Sequence, residues 1–353
     1  TCHVLHMCPG YYDYKQGYLP EWDGMQDFGG EIIHPQAWPE DLDYSGKKIV
    51  VIGSGATAVT LIPSLAEKAG HVTMLQRSPS YIVEMPALDP LAVKLRKLFG
   101  AKFSHRFTRW KNILRTIFYY QIARRFPDWM KKSVMKAASE TIGPDFDVDT
   151  HMNPSYAPWD QRVCIDKDGE MFAAIREGRA SVETGHIASF TQTGLALRDG
   201  TALDADIIVT ATGLNMRFMG GVALTVDGAP FQMNQAYMYK GMMFSGLPNL
   251  FYSIGYTNAS WTLKCELISR YACRLMNEMD KKGLPVITPQ ASEDIIPRPS
   301  IELQSGYVFR AESLLPKQGE AAPWRVYQNY VLDKISLGMG SLRDKAMTFS
   351  GKT

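Results

Sequence analysis

The hydrophobic pattern of the chain changes character at Lys47. From Lys48 to Ile52 the run KIVVI is apolar without alternation, as in a strand buried on both faces of a parallel sheet. It ends in Gly53-Ser54-Gly55, after which the pattern predicts a helix over 56 to about 68 and a second strand, His71 to Gln76. Strand, glycine turn, helix and strand form a βαβ beginning. Ahead of it, TCHVLHMC predicts a buried strand and Pro9-Gly10 a turn, followed by aromatic- and glycine-rich irregular chain. Behind it, residues 84–160 read as a helical insertion. There Trp110, Ile113, Leu114, Ile117 and Phe118 fall at i, i+3, i+4, i+7 and i+8, one helix face. Short strands return at ASVETGHI, SFTQTGLALRDGT and ADIIVTATG, then at NLFYSIGY (249–256) before a helix over 261 to about 281.

Length and composition allow one large domain or two intertwined ones, since 353 residues at 45% hydrophobic can bury a sizeable core. A net charge of +2 argues against a dedicated nucleic-acid binder. The basic residues are unevenly placed, however: Asp128 is the sole acid among many lysines and arginines over 91–137. That stretch reads as a solvated face over an apolar core, or as a surface that touches anionic lipid or steers an anionic ligand. Five cysteines form no CxxC pair, so neither a disulfide framework nor a zinc site is suggested, and a reducing, cytoplasmic compartment is expected. No apolar run is long enough for a membrane-spanning helix, and the opening residues have no signal-peptide pattern. Without an initiator methionine, the chain is expected to start inside a domain.

Gly53-Ser54-Gly55-Ala56-Thr57-Ala58 is a GxGxxA turn in its full context, directly after a strand and directly before a helix. Gly53 permits the tight turn, Gly55 lets backbone approach a pyrophosphate, and small Ala58 lets the helix pack on the strand. The phosphates then meet the helix's first amides. At the end of the second strand, NAD and FAD sites usually carry an acid for the ribose hydroxyls. This chain has Gln76-Arg77-Ser78, and a guanidinium beside a hydroxyl suits a 2′-phosphate, favouring NADPH. The expected cofactor site is therefore Gly53, Ser54, Gly55, Ala56, Thr57, Ala58 and Val59, with Arg77 and Ser78.

Upstream, FGGEIIHPQAWP carries Phe28, Gly30, His34, Trp38 and Pro39 at fixed spacing. This string matches FxGxxxHxxxW(P/D), and in it the chain resembles the Baeyer–Villiger monooxygenases. Five fixed positions recur by chance about once in three million windows. Further strings, among them TMLQRSPSYIV, YAPWDQR, ATGLN, YKGMM, GYTNASWTLK and PWRVYQNY, are similar to the ethionamide-activating branch of that family. The resemblance covers nearly the whole chain. It implies an α/β flavoprotein with two dinucleotide-binding domains: a Rossmann-like NADPH domain (47–210) with the helical insertion 84–160, interleaved with part of an FAD domain. The FAD part would comprise 1–46 and 211–353, and the chain is expected to be N-terminally truncated, without the family's first FAD-binding glycine motif.

The resemblance also implies FAD and NADPH as cofactors. One atom of O2 would pass to a small apolar ketone or a sulfur group, and Arg162 and His34 would be the catalytic residues. An anionic oxygen species beside a flavin needs a fixed positive charge that keeps its protons, which a guanidinium supplies. Read on its own, Arg162 could equally pair with Asp160, and His34 could be a satisfied structural histidine. Asn258 or Ser260 is expected to cap the 261–281 helix. The methionine- and aromatic-rich segment 231–256 reads as a substrate pocket or as core. The rival functions are an N- or S-hydroxylating flavin monooxygenase and an inactive nucleotide-binding fragment. The basic insertion leaves room for peripheral contact with the inner face of the cell membrane.

Overall fold

The computed structural model describes residues 1–351. They form two compact units, 14–215 and the remainder (1–13 with 216 onward), and the chain passes between them within strands Tyr12–Gly17 and Leu214–Met216. The boundary thus differs from the one expected at 46/47. Residues 14–46 belong with the glycine-turn unit because Glu31–Ile33 extends its sheet and Phe28 enters its core.

In unit 14–215 the principal elements are β1 (Glu31–Ile33), β2 (Lys48–Ile52), α1 (Ala56–Leu65), β3 (His71–Gln76), α2 (Pro90–Arg125), α3 (Pro127–Ile142), β4 (Ala180–Thr184) and β5 (Ile207–Thr210). The five strands form one parallel sheet in the order β1-β5-β2-β3-β4. The unbroken apolar run of β2 serves both faces. Ile49 and Val51 pack with Ala58, Val59, Ile62 and Leu65 of α1. Val50 and Ile52 pack with Phe28, Phe190, Leu195 and Leu197 on the opposite side, where Ile187–Thr191, Gly194–Leu197 and Ala202–Asp204 make an antiparallel meander. Each such buried side chain contributes about 1.5–3 kcal/mol, so this strand anchors the turn that follows it. α1 ends earlier than expected because Lys68 and Ala69 both turn back to the Leu65 carbonyl.

α2 is two helical arms joined at Gly100, whose φ of 79° only glycine adopts readily. The arms lie side by side: the Ser104 hydroxyl donates to the Ala92 carbonyl at 2.8 Å, and Lys111 pairs with Asp89. The expected apolar face is split by this geometry. Ile113 is buried, Trp110 and Ile117 are half-buried, and Leu114 and Phe118 are exposed, because the packing covers only the stripe through Ile113.

The other unit is built around Met216, Met238, Phe244, Leu250, Tyr252, Leu303 and Val308. Segment 231–256, read as pocket or core, supplies much of this interior. The helix Trp261–Lys282 turns Leu267, Ile268, Tyr271 and Leu275 inward, and its buried Lys264 pairs with buried Asp333 at 3.1 Å. Leu5–Met7 pairs in parallel with Leu250–Tyr252, all that remains regular of the expected 249–256 strand. The opening strand is not buried as expected: it has this one neighbour among the described residues, so Leu5 and His6 stay exposed. Among the described residues, no helix is long and apolar enough to cross a membrane.

Candidate functional site

The site lies at the carboxyl ends of the parallel strands, where open α/β sheets take their ligands. Gly53 leaves β2 with φ 134°, and a Cβ on it would stand 2.3 Å from the Ala211 carbonyl oxygen just past β5. Its amide donates to the Leu75 carbonyl at 2.8 Å, fixing the turn against β3. Gly55 behaves differently. It is the N-cap of α1 with φ −80°, no side chain caps the helix, and a Cβ there would meet nothing within 4 Å. Gly55, Ala56 and Thr57 are exposed, so uncapped amides border open space. The residues present fit a pyrophosphate there. Ala58 is fully buried against the sheet, as its small size requires. Val59 departs from expectation. Its side chain, 2% exposed, is core, and its amide already donates to the Gly55 carbonyl at 3.1 Å, so it has nothing to offer a ligand.

At the end of β3, Gln76 is turned inward, donating to the His151 carbonyl at 2.7 Å and to Thr184 Oγ1 at 2.9 Å. Arg77 and Ser78 are exposed beside it, and Arg77 has no ion-pair or hydrogen-bond partner among the described residues. The Ser54 hydroxyl bonds the Ser78 carbonyl at 3.1 Å and the Ser80 hydroxyl at 2.8 Å, tying the glycine turn to the segment that carries Arg77.

The loop of Arg162 reaches the same turn. Two residues on, the Cys164 thiol meets the Ser54 carbonyl at 3.8 Å, and the Cys164 amide donates to the Tyr81 carbonyl at 2.8 Å. Burial pushes the Cys164 thiol up to about 11, with the nearby Arg162 charge opposing the shift. Tyr81, also buried, donates to the Tyr156 carbonyl at 2.7 Å, and the Tyr156 hydroxyl bonds Ser80. Burial, followed by the neighbouring Tyr156, Asp160 and Asp128, raises the Tyr81 phenol to about 12. Asp160, the carboxylate weighed as a partner for Arg162, receives Arg124 at 2.5 Å and the Ala157 amide at 3.3 Å.

His34 directly follows β1 at the carboxyl end of the same sheet. Its Nδ1 accepts from the Gln36 amide at 3.2 Å, which leaves the proton on Nε2 to donate to the Gly213 carbonyl at 3.4 Å. The ring fills the space left by Gly17, where a Cβ would come within 1.9 Å of it. Both nitrogens are thus committed to backbone, which suits positioning better than proton transfer. The structure groups the glycine turn, Arg77, Ser78 and the Arg162 loop, and holds His34 beside Gly213. Ser80, Tyr81, Tyr156, Cys164 and Gly17 were not singled out from sequence. Tyr156 lies within the quoted YAPWDQR string, whereas Gly17 carried no signal. In the other unit, Ser260 precedes Trp261–Lys282 without a side-chain cap. Its hydroxyl bonds Thr262, and the Asn258 amide bonds the Gln328 carbonyl.

Residues 3–290 match the flavin-binding monooxygenase-like family model. The chain is 49% identical to the FAD-containing monooxygenase EthA of Mycolicibacterium smegmatis and 47% identical to that of Mycobacterium tuberculosis. Each match covers 99% of this chain and 72% of the relative. Among solved structures, a steroid monooxygenase bound to NADP matches with a TM-score of 0.68 at 18% identity, over 99% of this chain and 75% of that one. That likeness is one of fold, the two-dinucleotide-domain α/β flavoprotein.

Proposed function

From the chain's membership of the flavin-binding monooxygenase-like family, we propose that it is an NADPH- and FAD-dependent monooxygenase acting on apolar ketones or sulfur groups. The observation that carries NADPH is the pairing of an open, uncapped glycine turn with an unpartnered Arg77 beside Ser78. The amides of Gly55, Ala56 and Thr57 hold the pyrophosphate, with Gly53 and Ala58 shaping the turn. Arg77 and Ser78 take the 2′-phosphate. When bound, NADPH supplies the hydride and FAD the oxygen chemistry.

Arg162 supplies a fixed positive charge that keeps its proton at any working pH and stabilises negative charge on oxygen. Ser54 and Cys164 hold its loop to the nucleotide turn. His34 is a positioning residue, keeping the fingerprint loop against Gly213. The relatives' names, FAD-containing monooxygenases, and the NADP of the steroid monooxygenase support the cofactor pair. In the cell this reading places the protein in the cytoplasm, with the basic helical insertion touching the inner membrane face, where apolar substrates accumulate.

The test is oxidation of an aryl ketone and an aryl sulfide by FAD-supplied protein under isotopically labelled O2, with NADPH or NADH as reductant. One labelled oxygen in the ester or sulfoxide, with NADPH strongly preferred, is expected. NADPH consumption without label in any product would instead make it a simple NADPH oxidase.

A further inference from the structure

The tip of the α2 hairpin is apolar and exposed. At the turn around Gly100, Leu98, Phe99, Phe103 and Phe107 are 63, 60, 49 and 47% exposed. The three rings follow one another at i, i+4 and i+8. Phe99 and Phe103 lie 5.1 Å apart between centroids, and Phe103 and Phe107 lie stacked at 6.2 Å. A contiguous exposed apolar ladder on a water-facing helix marks an interaction surface rather than unused core. Around it stand Lys94, Arg96, Lys97, Lys102 and Arg106, all exposed and without an ion-pair partner among the described residues. No Asp or Glu occurs between Pro90 and Pro127.

We infer that this hairpin tip is a peripheral membrane anchor: the phenylalanines and Leu98 enter the headgroup–acyl boundary of an anionic bilayer, and the five cations meet its phosphates. It narrows the membrane contact proposed above to one element and does not depend on flavin chemistry. The charge pattern selects this occupant. A second copy in two-fold contact would set the same five cations against themselves, with no acid in the segment to neutralise them. An anionic lipid surface instead draws each cation inward while the rings bury apolar area, the composition of interfacial helices. The positive-φ glycine adds a sharp tip, so apolar side chains from both arms project from one end of the hairpin.

The experiment is co-sedimentation of the purified chain with vesicles of phosphatidylcholine alone or with about one third phosphatidylglycerol. Binding to the anionic vesicles, weakening as salt rises, is expected. The double variant Phe99→Ser/Phe103→Ser should lower partition by roughly tenfold or more at an unchanged melting temperature, since both side chains are exposed in the free protein. Lys97→Gln/Lys102→Gln should lower it by about fivefold per charge, on anionic vesicles only. The anchor is refuted by equal binding to neutral and anionic vesicles, or by undiminished binding of the double-serine variant. Self-association lost in that variant, without vesicle binding, overturns it in favour of a dimer surface. Monooxygenase activity is read separately, so failure here leaves the proposed reaction standing.

Discussion

Replacing each glycine of the nucleotide turn by alanine should separate folding from binding. At Gly53 the backbone sits at φ 134°, and the new Cβ would be 2.3 Å from the Ala211 carbonyl oxygen. The conformational strain costs about 1–3 kcal/mol, and pushing back the end of a central strand costs about 1–3 kcal/mol more. Against a total stability of about 5–15 kcal/mol, Gly53→Ala should lower the melting temperature by roughly 5–20 °C in a unit of this size. At Gly55 the φ of −80° suits alanine and the Cβ meets nothing. The weaker N-cap is offset by the smaller entropy of the unfolded chain, so stability should stay within about 1 kcal/mol of wild type. The same methyl would occupy the space a pyrophosphate needs. Losing one charge-assisted amide contact costs about 1.5–3 kcal/mol, or roughly ten- to a hundredfold in affinity. Calorimetric titration with NADPH, beside thermal unfolding by circular dichroism, reads both quantities. A Gly55→Ala protein that melts and binds NADPH like wild type would remove the nucleotide from this turn. A Gly53→Ala protein that melts like wild type would contradict the turn geometry itself.

Arg77→Ala should weaken NADPH by roughly ten- to a hundredfold and leave NADH unchanged, measured as separate Kd values; equal losses would make Arg77 structural. Arg162→Ala should keep the fold while product formation falls on the order of a hundred- to a thousandfold and hydrogen peroxide rises, with Arg162→Lys a poor rescue, and near-normal product would return Arg162 to the structural arginines. Gly17→Ala should destabilise by about 1–3 kcal/mol by displacing the His34 ring, and adding His34→Ala should recover part of that loss; additive melting shifts would refute the packing argument. With its thiol raised to about 11 by burial, Cys164 should be about one part in a thousand thiolate at pH 8, and alkylation read by mass spectrometry should modify exposed Cys2, Cys8 and Cys273 well before it.

The sheet and its turn were legible because their sequence signals are local. KIVVI, GSGATA and the HVTMLQ strand each carry a periodicity or a required small residue, and they appear where the pattern puts them. The unit boundary was not legible. Glu31–Ile33 is a three-residue strand whose place in the sheet is set by pairing with Ile207–Val209, more than 170 positions away. Val59 fell on the wrong side of the helix for a related reason. A motif counts residues along the chain, while the 100° step per residue turns the fourth position past Gly55 into the core. The insertion was misread through its periodicity: a face of Trp110, Ile113 and Leu114 predicts burial, but Gly100 folds the helix on itself, and no pattern within either arm says which stripe will be covered.

Ser54 shows why the turn and the charge at Arg162 belong to one device. Its hydroxyl holds the Arg77 segment and its carbonyl receives Cys164, so both cationic loops are referenced to a residue between the two working glycines. Those glycines cannot themselves hold anything by side chain. Removing the hydroxyl alone, as in Ser54→Ala, deletes two hydrogen bonds of about 1 kcal/mol each without adding volume or changing the backbone. A turn that served only as a phosphate cradle would then lose NADPH affinity and nothing more. A hydroxyl that also steadies the Arg162 loop, through Ser80 and the Tyr156 hydroxyl bonded to it, should when removed lower product formed per NADPH consumed as well. The ratio of labelled product to NADPH oxidised at saturating NADPH isolates that second effect, because weaker nucleotide binding has no influence on it once the site is full. An unchanged ratio in Ser54→Ala would show that the Arg162 loop is held without the hydroxyl, by the Ser54 carbonyl on Cys164 together with Tyr81 and Tyr156.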